Sequence, residues 1–224
     1  MKAPVQIVWD WNGTLLDDAQ ACINAINALL HERNLPLLDR ERYRASFGFP
    51  VRDFYRTLGI DVDDKTWAEL TVAFHEHYQR EPVAIAGAAR QMLDWLQTHS
   101  IPQSILSACE QNLLNCQVAR HGLAGYFRHV QGTDNLDGRS KIAVGQTLIA
   151  RLVVGDRPPV LIGDTLHDVD VAAALGCDCL LVANGHQSRA RLERAGCPVL
   201  DSLLELPLAL EAIEGPPREQ GKRI

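Results

Sequence analysis

The sequence has no run of about eighteen apolar residues, the length that a membrane-crossing helix requires. It has no basic cluster either. The arginines and the four lysines are scattered, and the net charge is −6. A nucleic-acid partner is therefore not expected, and an anionic ligand must be met by a few placed cations or a metal ion. The six cysteines (Cys22, Cys109, Cys116, Cys177, Cys179 and Cys197) form no paired CxxC knuckles, which argues against a zinc site and leaves them as structural core thiols. Internal repeats and low-complexity segments are missing, and Gly221-Lys222 is no P-loop because its glycine spacing is wrong and no Ser or Thr follows. Met1-Lys2-Ala3-Pro4 leads straight into a strand-like segment with no signal-peptide pattern, so a cytoplasmic location is expected.

What is present is an ordinary globular composition over 224 residues, 46% hydrophobic and 22% charged. That length suits one principal domain with a sizeable insert. Short apolar, β-rich runs read as strands at Val5–Trp9, Pro102–Ser107, Phe127–Gln131, Pro159–Ile162, Cys177–Val182 and Pro198–Leu200. Helical spacing appears between them, as at Ala88–Gln97, Gln111–His121, Ser140–Arg151, Asp168–Leu175 and Ser188–Ala195. This alternation predicts an α/β fold, a doubly wound parallel sheet with right-handed crossovers. One block breaks the rhythm after the first strand. Ile23, Ile26, Leu29 and Leu30 give a helix over Ala19–Leu30, with Asp17 or Asp18 as its N-cap candidate, and another helix covers Asp64–Arg80. No strand is expected between Thr14 and Val83. The reading is thus an α/β core of residues 1–16 and 87–214, an inserted α-helical cap of residues 17–86, and a flexible tail of residues 215–224.

In an open parallel sheet, ligands sit outside the carboxyl ends of the strands. The first strand delivers Asp10 there, the second Ser107 and the fourth Asp164, while Lys141 opens the helix before the fourth. Two carboxylates, a hydroxyl and an ammonium suit phosphoryl transfer. A carboxylate can act as nucleophile and form an acyl phosphate. Paired carboxylates call for a cation between them, and magnesium prefers such hard oxygen ligands. Gly13 allows a tight turn that exposes backbone amides to phosphate.

These segments also carry a family resemblance. Asp10-Trp11-Asn12-Gly13-Thr14 resembles the DxDGT motif of the haloacid dehalogenase-like superfamily. Ile105-Leu106-Ser107-Ala108, Ser140-Lys141 and Gly163-Asp164-Thr165-Leu166-His167-Asp168 resemble its second, third and fourth motifs, in order, across nearly the whole chain. The insert and Phe47-Gly48-Phe49-Pro50 are similar to the helical cap of the phosphoglycolate phosphatase and β-phosphoglucomutase branch. The resemblance implies a Rossmann-like core and a magnesium-dependent phosphatase of a small phosphorylated metabolite such as phosphoglycolate. It implies Asp10 as nucleophile, with Asp10, the Asn12 carbonyl, Asp164 and Asp168 around the metal. Thr14 would orient Asp10, and Gly13, Ser107, Ala108 and Lys141 would hold phosphate. Asp168 would hold metal-bound water or support Lys141. The expected partner is a small phosphorylated metabolite, and the sequence is silent on whether the chain is a monomer or a homodimer.

Position 12 departs from the family pattern. Phosphatases of this kind carry there an Asp that moves a proton to the leaving group, and an Asn cannot. General acid–base catalysis is worth about 10²- to 10⁴-fold. Slow turnover, a degenerate member that only binds a phosphorylated metabolite or partner, and hydrolysis of C–P or C–halogen bonds are the alternatives. Asn12→Asp is expected to raise turnover if proton transfer limits the rate. Arg52, after the Gly48–Pro50 turn, is a candidate for a substrate anion, with a surface ion pair as its plainer role. His167 could contact substrate, and His75-Glu76-His77 reads as a solvated helix face because residues two apart do not share a side.

Overall fold

The computed structural model describes residues 5–136, 140–152 and 157–213; the predicted tail at 215–224 lies outside them. Six strands form one parallel sheet: β1 (Ile7–Trp9), β4 (Gln103–Glu110), β5 (His129–Thr133), β6 (Val160–Gly163), β7 (Asp178–Val182) and β8 (Val199–Leu200). The order across the sheet is β5-β4-β1-β6-β7-β8. The chain winds outward from β1 to one edge, returns beside β1, and winds to the other. The crevice over β1 is therefore the place where the strand order reverses, where such sheets bind ligands.

Alternation along β1 sets the two layers. Ile7 and Trp9 pack with Leu93, Leu96, Leu114 and Leu206 on one face, while Val8 packs with Leu148, Leu161 and Val171 on the other. The helices that cover these faces are α5 (Ala89–Thr98), α6 (Gln111–Arg120) and α10 (Leu206–Ile213) on the first, and α7 (Ile142–Ile149) and α8 (Leu166–Leu175) on the second. β5 begins two residues later than the apolar pattern placed it, because a 3₁₀ turn at Ala124–Tyr126 takes up the approach.

Between β1 and α5 lies the helical block: α1 (Ala19–Glu32), α2 (Arg40–Ser46), α3 (Val51–Thr57) and α4 (Asp64–Tyr78). It has its own apolar core, built on Ile23, Leu29, Leu30, Tyr43, Phe54 and Leu70. The expectation of no strand here is corrected at one point. β2 (Leu16–Asp17) pairs antiparallel with β3 (Ala84–Ile85), tying together the two chain segments that enter and leave the block. Two residues are too few to show any alternation, which is why the sequence hides this pair.

All six thiols are free. Cys22, Cys109, Cys177 and Cys179 are half-buried and pack against the apolar cores, as expected of structural thiols, and the expectation is corrected only at Cys116, which is exposed. Among the described residues, no helix is long and apolar enough to cross a membrane.

Candidate active site

Strand register brings the sequence candidates close to one another. Trp9 pairs with Ile105 on one side and Ile162 on the other. Asp10 therefore lies beside Leu106 and Gly163, one residue short of Ser107 and Asp164. Asp10 and Asp164 follow the ends of β1 and β6, whereas Ser107 lies within β4, which runs past the expected end to Glu110 with an irregularity in its pairing with β5. The Asp10 amide donates to the Ile162 carbonyl at 2.8 Å, which seats the residue at the strand tip. Asp10, Ser107, Lys141, Asp164 and Asp168 are all buried, and all five line one cavity.

Lys141 precedes α7 and reaches this point from the neighbouring layer. Its Nζ donates to an Asp10 carboxylate oxygen, to Asp168 Oδ1 at 2.7 Å and to the Leu106 carbonyl at 3.1 Å. Burial alone would lower Lys141, but the two carboxylates more than offset that and hold the ammonium above its usual range. Asp168 uses its other oxygen to accept from the Asp164 amide (3.2 Å), the Thr165 amide (3.0 Å) and the Thr165 hydroxyl (2.7 Å). That carboxylate thus ties the fourth-strand loop to the lysine. Burial works against its charge, yet Lys141 and these donors keep it below the usual carboxylate range.

Asp10 and Asp164 behave differently. Burial, reinforced by Asp168 and Asp164, pushes Asp10 up to about 7 against the pull of Lys141. Burial likewise pushes Asp164 up to about 6, opposed by His186. Thr14 Oγ1 bridges the two acids, 3.4 Å from Asp10 Oδ2 and 3.2 Å from Asp164 Oδ1. One oxygen each from Asp10, Asp164 and Asp168 falls within a 4.8 Å span. Three buried carboxylates against a single ammonium form a hard, anionic oxygen set that fits magnesium.

Glycines make the close packing possible. Gly13 sits at φ +78°, and a Cβ there would lie 2.3 Å from Asp164 Oδ2. At Gly185 a Cβ would lie 2.1 Å from the same oxygen and 2.4 Å from the Gly13 carbonyl. Ser107 Oγ accepts from the Cys109 amide at 3.0 Å, and Ala108, also in the cavity wall, gives its carbonyl to the Thr133 hydroxyl at 3.0 Å.

Arg52 is not brought to the site. Its guanidinium donates to the Val62 carbonyl at 2.5 and 2.8 Å and to Asp64 at 2.7 Å, all within the helical block. The substrate-anion role is corrected to the plainer one. His77 faces Glu32 at 3.3 Å, whereas His75 lines the cavity, so that segment is not wholly a solvated face. His167 also lines the cavity; its ring stacks on Phe49 at 4.4 Å, and burial lowers its pKa.

Sequence reasoning missed a second group beside the acids. Asp18 stands at the N-cap position of α1 but makes no side-chain cap. Its carboxylate instead accepts from the Gly13 amide (2.8 Å), from Asn12 Nδ2 (2.7 Å) and from the Tyr78 hydroxyl (2.8 Å), and faces His186 Nε2 at 3.3 Å. Tyr43 Oη lies 2.9 Å from His186 Nδ1, and the His186 amide donates to Asp164 Oδ2 at 2.5 Å. Burial opposes a charge on either member, but the ion pair wins: Asp18 is lowered and His186 is raised to about 9. One signal was available. Asn184-Gly185-His186-Gln187 is a polar cluster at the carboxyl end of β7, the same end that delivers the other site residues.

A parallel sheet whose central tips present a lysine-paired aspartate and a buried acidic set defines a hydrolase of the Rossmann-like kind. Residues 7–182 match the sequence pattern of the haloacid dehalogenase-like hydrolases, and the chain belongs to that family. Phosphoglycolate phosphatase from Chromobacterium violaceum is 25% identical over 196 residues, 83% of this chain and 88% of that protein. Tyrosine-protein kinase PtkA of Mycobacterium tuberculosis is 23% identical over 217 residues, 95% of this chain and 73% of that one. Among solved structures, a haloacid dehalogenase-like hydrolase from Streptococcus pneumoniae superposes with a TM-score of 0.79 at 18% identity, over 92% of this chain and 98% of its own.

Proposed function

We propose that the chain is a magnesium-dependent phosphatase that hydrolyses a small phosphomonoester through a phospho-Asp10 intermediate, the helical block serving as a cap over the site. One observation carries this reading: Asp10 stands at the tip of the central strand, held by Lys141, with Ser107 and Asp164 of the two neighbouring strands in the same cavity. Asp10, Asp164 and the Asn12 carbonyl would hold magnesium, which neutralises charge on phosphoryl oxygens when bound. Lys141 fixes the free Asp10 oxygen's direction and shares its charge. An Asp10 oxygen attacks phosphorus, the P–O bond to the organic group breaks, and the departing alkoxide takes a proton from cavity water. Water then cleaves the acyl phosphate, releasing inorganic phosphate and restoring Asp10. Phosphoglycolate is the substrate named for the Chromobacterium relative.

Purified protein with magnesium is expected to release phosphate from p-nitrophenyl phosphate, and Asp10→Asn to lose at least about 10³-fold in kcat with its circular dichroism unchanged. Near-wild-type turnover in that variant would remove Asp10 from the mechanism. A binding-only role is favoured by one feature, the Asn12 amide fixed on Asp18 where an acid would be needed. It predicts tight phosphate binding with no turnover of any ester.

A further inference from the structure

We infer that the organic part of the substrate is apolar, about the size of a single ring, and not a carboxylate. This rests on the phosphomonoester reading and narrows it to a class of ester.

The cavity that begins at Asp10 and Lys141 does not end at the sheet. It continues into the helical block, where its walls are Ile26, Val51, Tyr55, Trp67, Leu70 and Phe74. These side chains come from α1, α3 and α4, so the block's own apolar core opens toward the reacting centre. Phe47 and Phe49 complete the aromatic lining, Phe49 being held against His167. The whole space measures about 170 Å³. An apolar cavity of about 150 Å³ accepts a benzene-sized guest, so this space admits one ring at most beside the phosphoryl group.

Charge points the same way. Among the described residues that line the cavity, Lys141 is the sole lysine or arginine, and it is spent on Asp10 and Asp168. The neighbouring arginines are turned elsewhere. Arg44 donates to the Ala183 carbonyl at 2.6 Å and the Gln187 carbonyl at 3.0 Å, Arg191 to the Phe47 carbonyl at 2.5 Å, and Arg52 to Val62 and Asp64. His186 is matched by Asp18, and His75 Nδ1 is bonded to the Thr71 carbonyl at 2.7 Å. His167, whose Nε2 has no hydrogen-bond partner among the described residues, is held below its usual pKa by burial, which disfavours a charge on it. The lining also contains the acidic Glu110. A second anionic group on the substrate would lose its hydration here with no cation to compensate, whereas a ring gains from leaving water.

Two non-hydrolysable phosphonates test this in binding, apart from turnover. Benzylphosphonate and phosphonoacetate share the phosphoryl mimic and differ in a ring against a carboxylate. Calorimetry on the full chain with saturating magnesium is expected to give benzylphosphonate the lower Kd by about tenfold or more. Trp67→Leu, which keeps the wall apolar but removes the ring, is expected to narrow that preference about threefold. Equal affinities, tighter phosphonoacetate, or binding of neither compound would overturn the inference. Turnover is read separately on benzyl phosphate and phosphoglycolate. Tight benzylphosphonate binding with no hydrolysis of either ester sinks the phosphatase reading and leaves the apolar subsite standing.

Discussion

The side chain at position 12 points at a carboxylate. Asn12 Nδ2 donates to Asp18 Oδ2 at 2.7 Å, and Asp18 also takes the Gly13 amide and the Tyr78 hydroxyl. This changes what a simple repair of the family pattern would do. An Asp at position 12 sets two carboxylates within hydrogen-bonding distance in a buried place, and one of them must then hold a proton. Asn12→Asp alone is therefore expected to give no gain in kcat on an alkyl phosphate and to lower thermal stability. The double change Asn12→Asp with Asp18→Asn restores one donor amide and one acceptor acid at that contact, at the cost of the Asp18–His186 ion pair and some thermal stability. It is expected to raise kcat by up to about 10²-fold, the lower range for general acid catalysis. Steady-state kinetics on both variants decides it. Activation by Asn12→Asp alone would show that Asp18 does not constrain position 12.

Among the secondary-structure elements, the ones that hold the site are those the sequence shows best. α8 stops at Gly176, which adopts the left-handed conformation at φ +67°, as the residues announce; its start at Leu166 comes two residues before the expected Asp168, because Thr165 and Asp168 form a capping box there. The tips of β1 and β6 were legible for a related reason: a buried strand that is apolar makes the first polar residue after it stand out, whereas Ser107 lies inside β4, whose buried run already holds Gln103 and Ser104. Lys141 was legible through its place before α7, though nothing local foretold that it would be buried. Asp18, Tyr43, Tyr78 and His186 were not legible as a group. They come from four separate segments, and only tertiary packing joins them. Asp18 even sits where a capping acid belongs, so its local context misleads. The His186–Asp18 pair carries a pH signature. His186 is raised above its unfolded value of 6.5 to about 9. Its contribution to stability is whole below pH 6.5 and is lost as pH rises through 9. Asp18 is lowered, so its own contribution is present above its unfolded value of 3.8 and lost as pH falls below it. In urea unfolding with EDTA, His186→Gln is expected to cost on the order of 3 kcal/mol at pH 6 and much less at pH 9.5. An equal cost at both values would show that the ring acts by packing alone.

The molecule as a whole buries apolar side chains in two places, against the two faces of the sheet and inside the helical block, and the second meets the sheet through polar latches. Arg44 on α2 donates to the carbonyls of Ala183 and Gln187 beyond β7. Gln187 Nε2 donates back to the Phe47 carbonyl at 3.0 Å, the Ser188 amide donates to the Arg44 carbonyl at 3.1 Å, and Arg191 reaches Phe47 as well. These bonds sit on one side of the cavity, and the short β2–β3 ladder sits where the chain passes between the two parts. Hydrogen bonds from a charged donor are worth about 1.5 to 3 kcal/mol each, little beside this apolar burial but enough to bias a hinge. Arg44→Ala removes two of them and leaves the apolar packing alone. The expected result is a KM for the phosphate ester raised several-fold and faster proteolytic cleavage near Leu16–Asp17 or Ala84–Ile85, with the urea midpoint almost unchanged. Trypsin does not cut at those residues, so a broad-specificity protease with mass mapping is the appropriate readout. A lowered urea midpoint with unaltered KM would instead make Arg44 a stabiliser of the fold and no latch of the block.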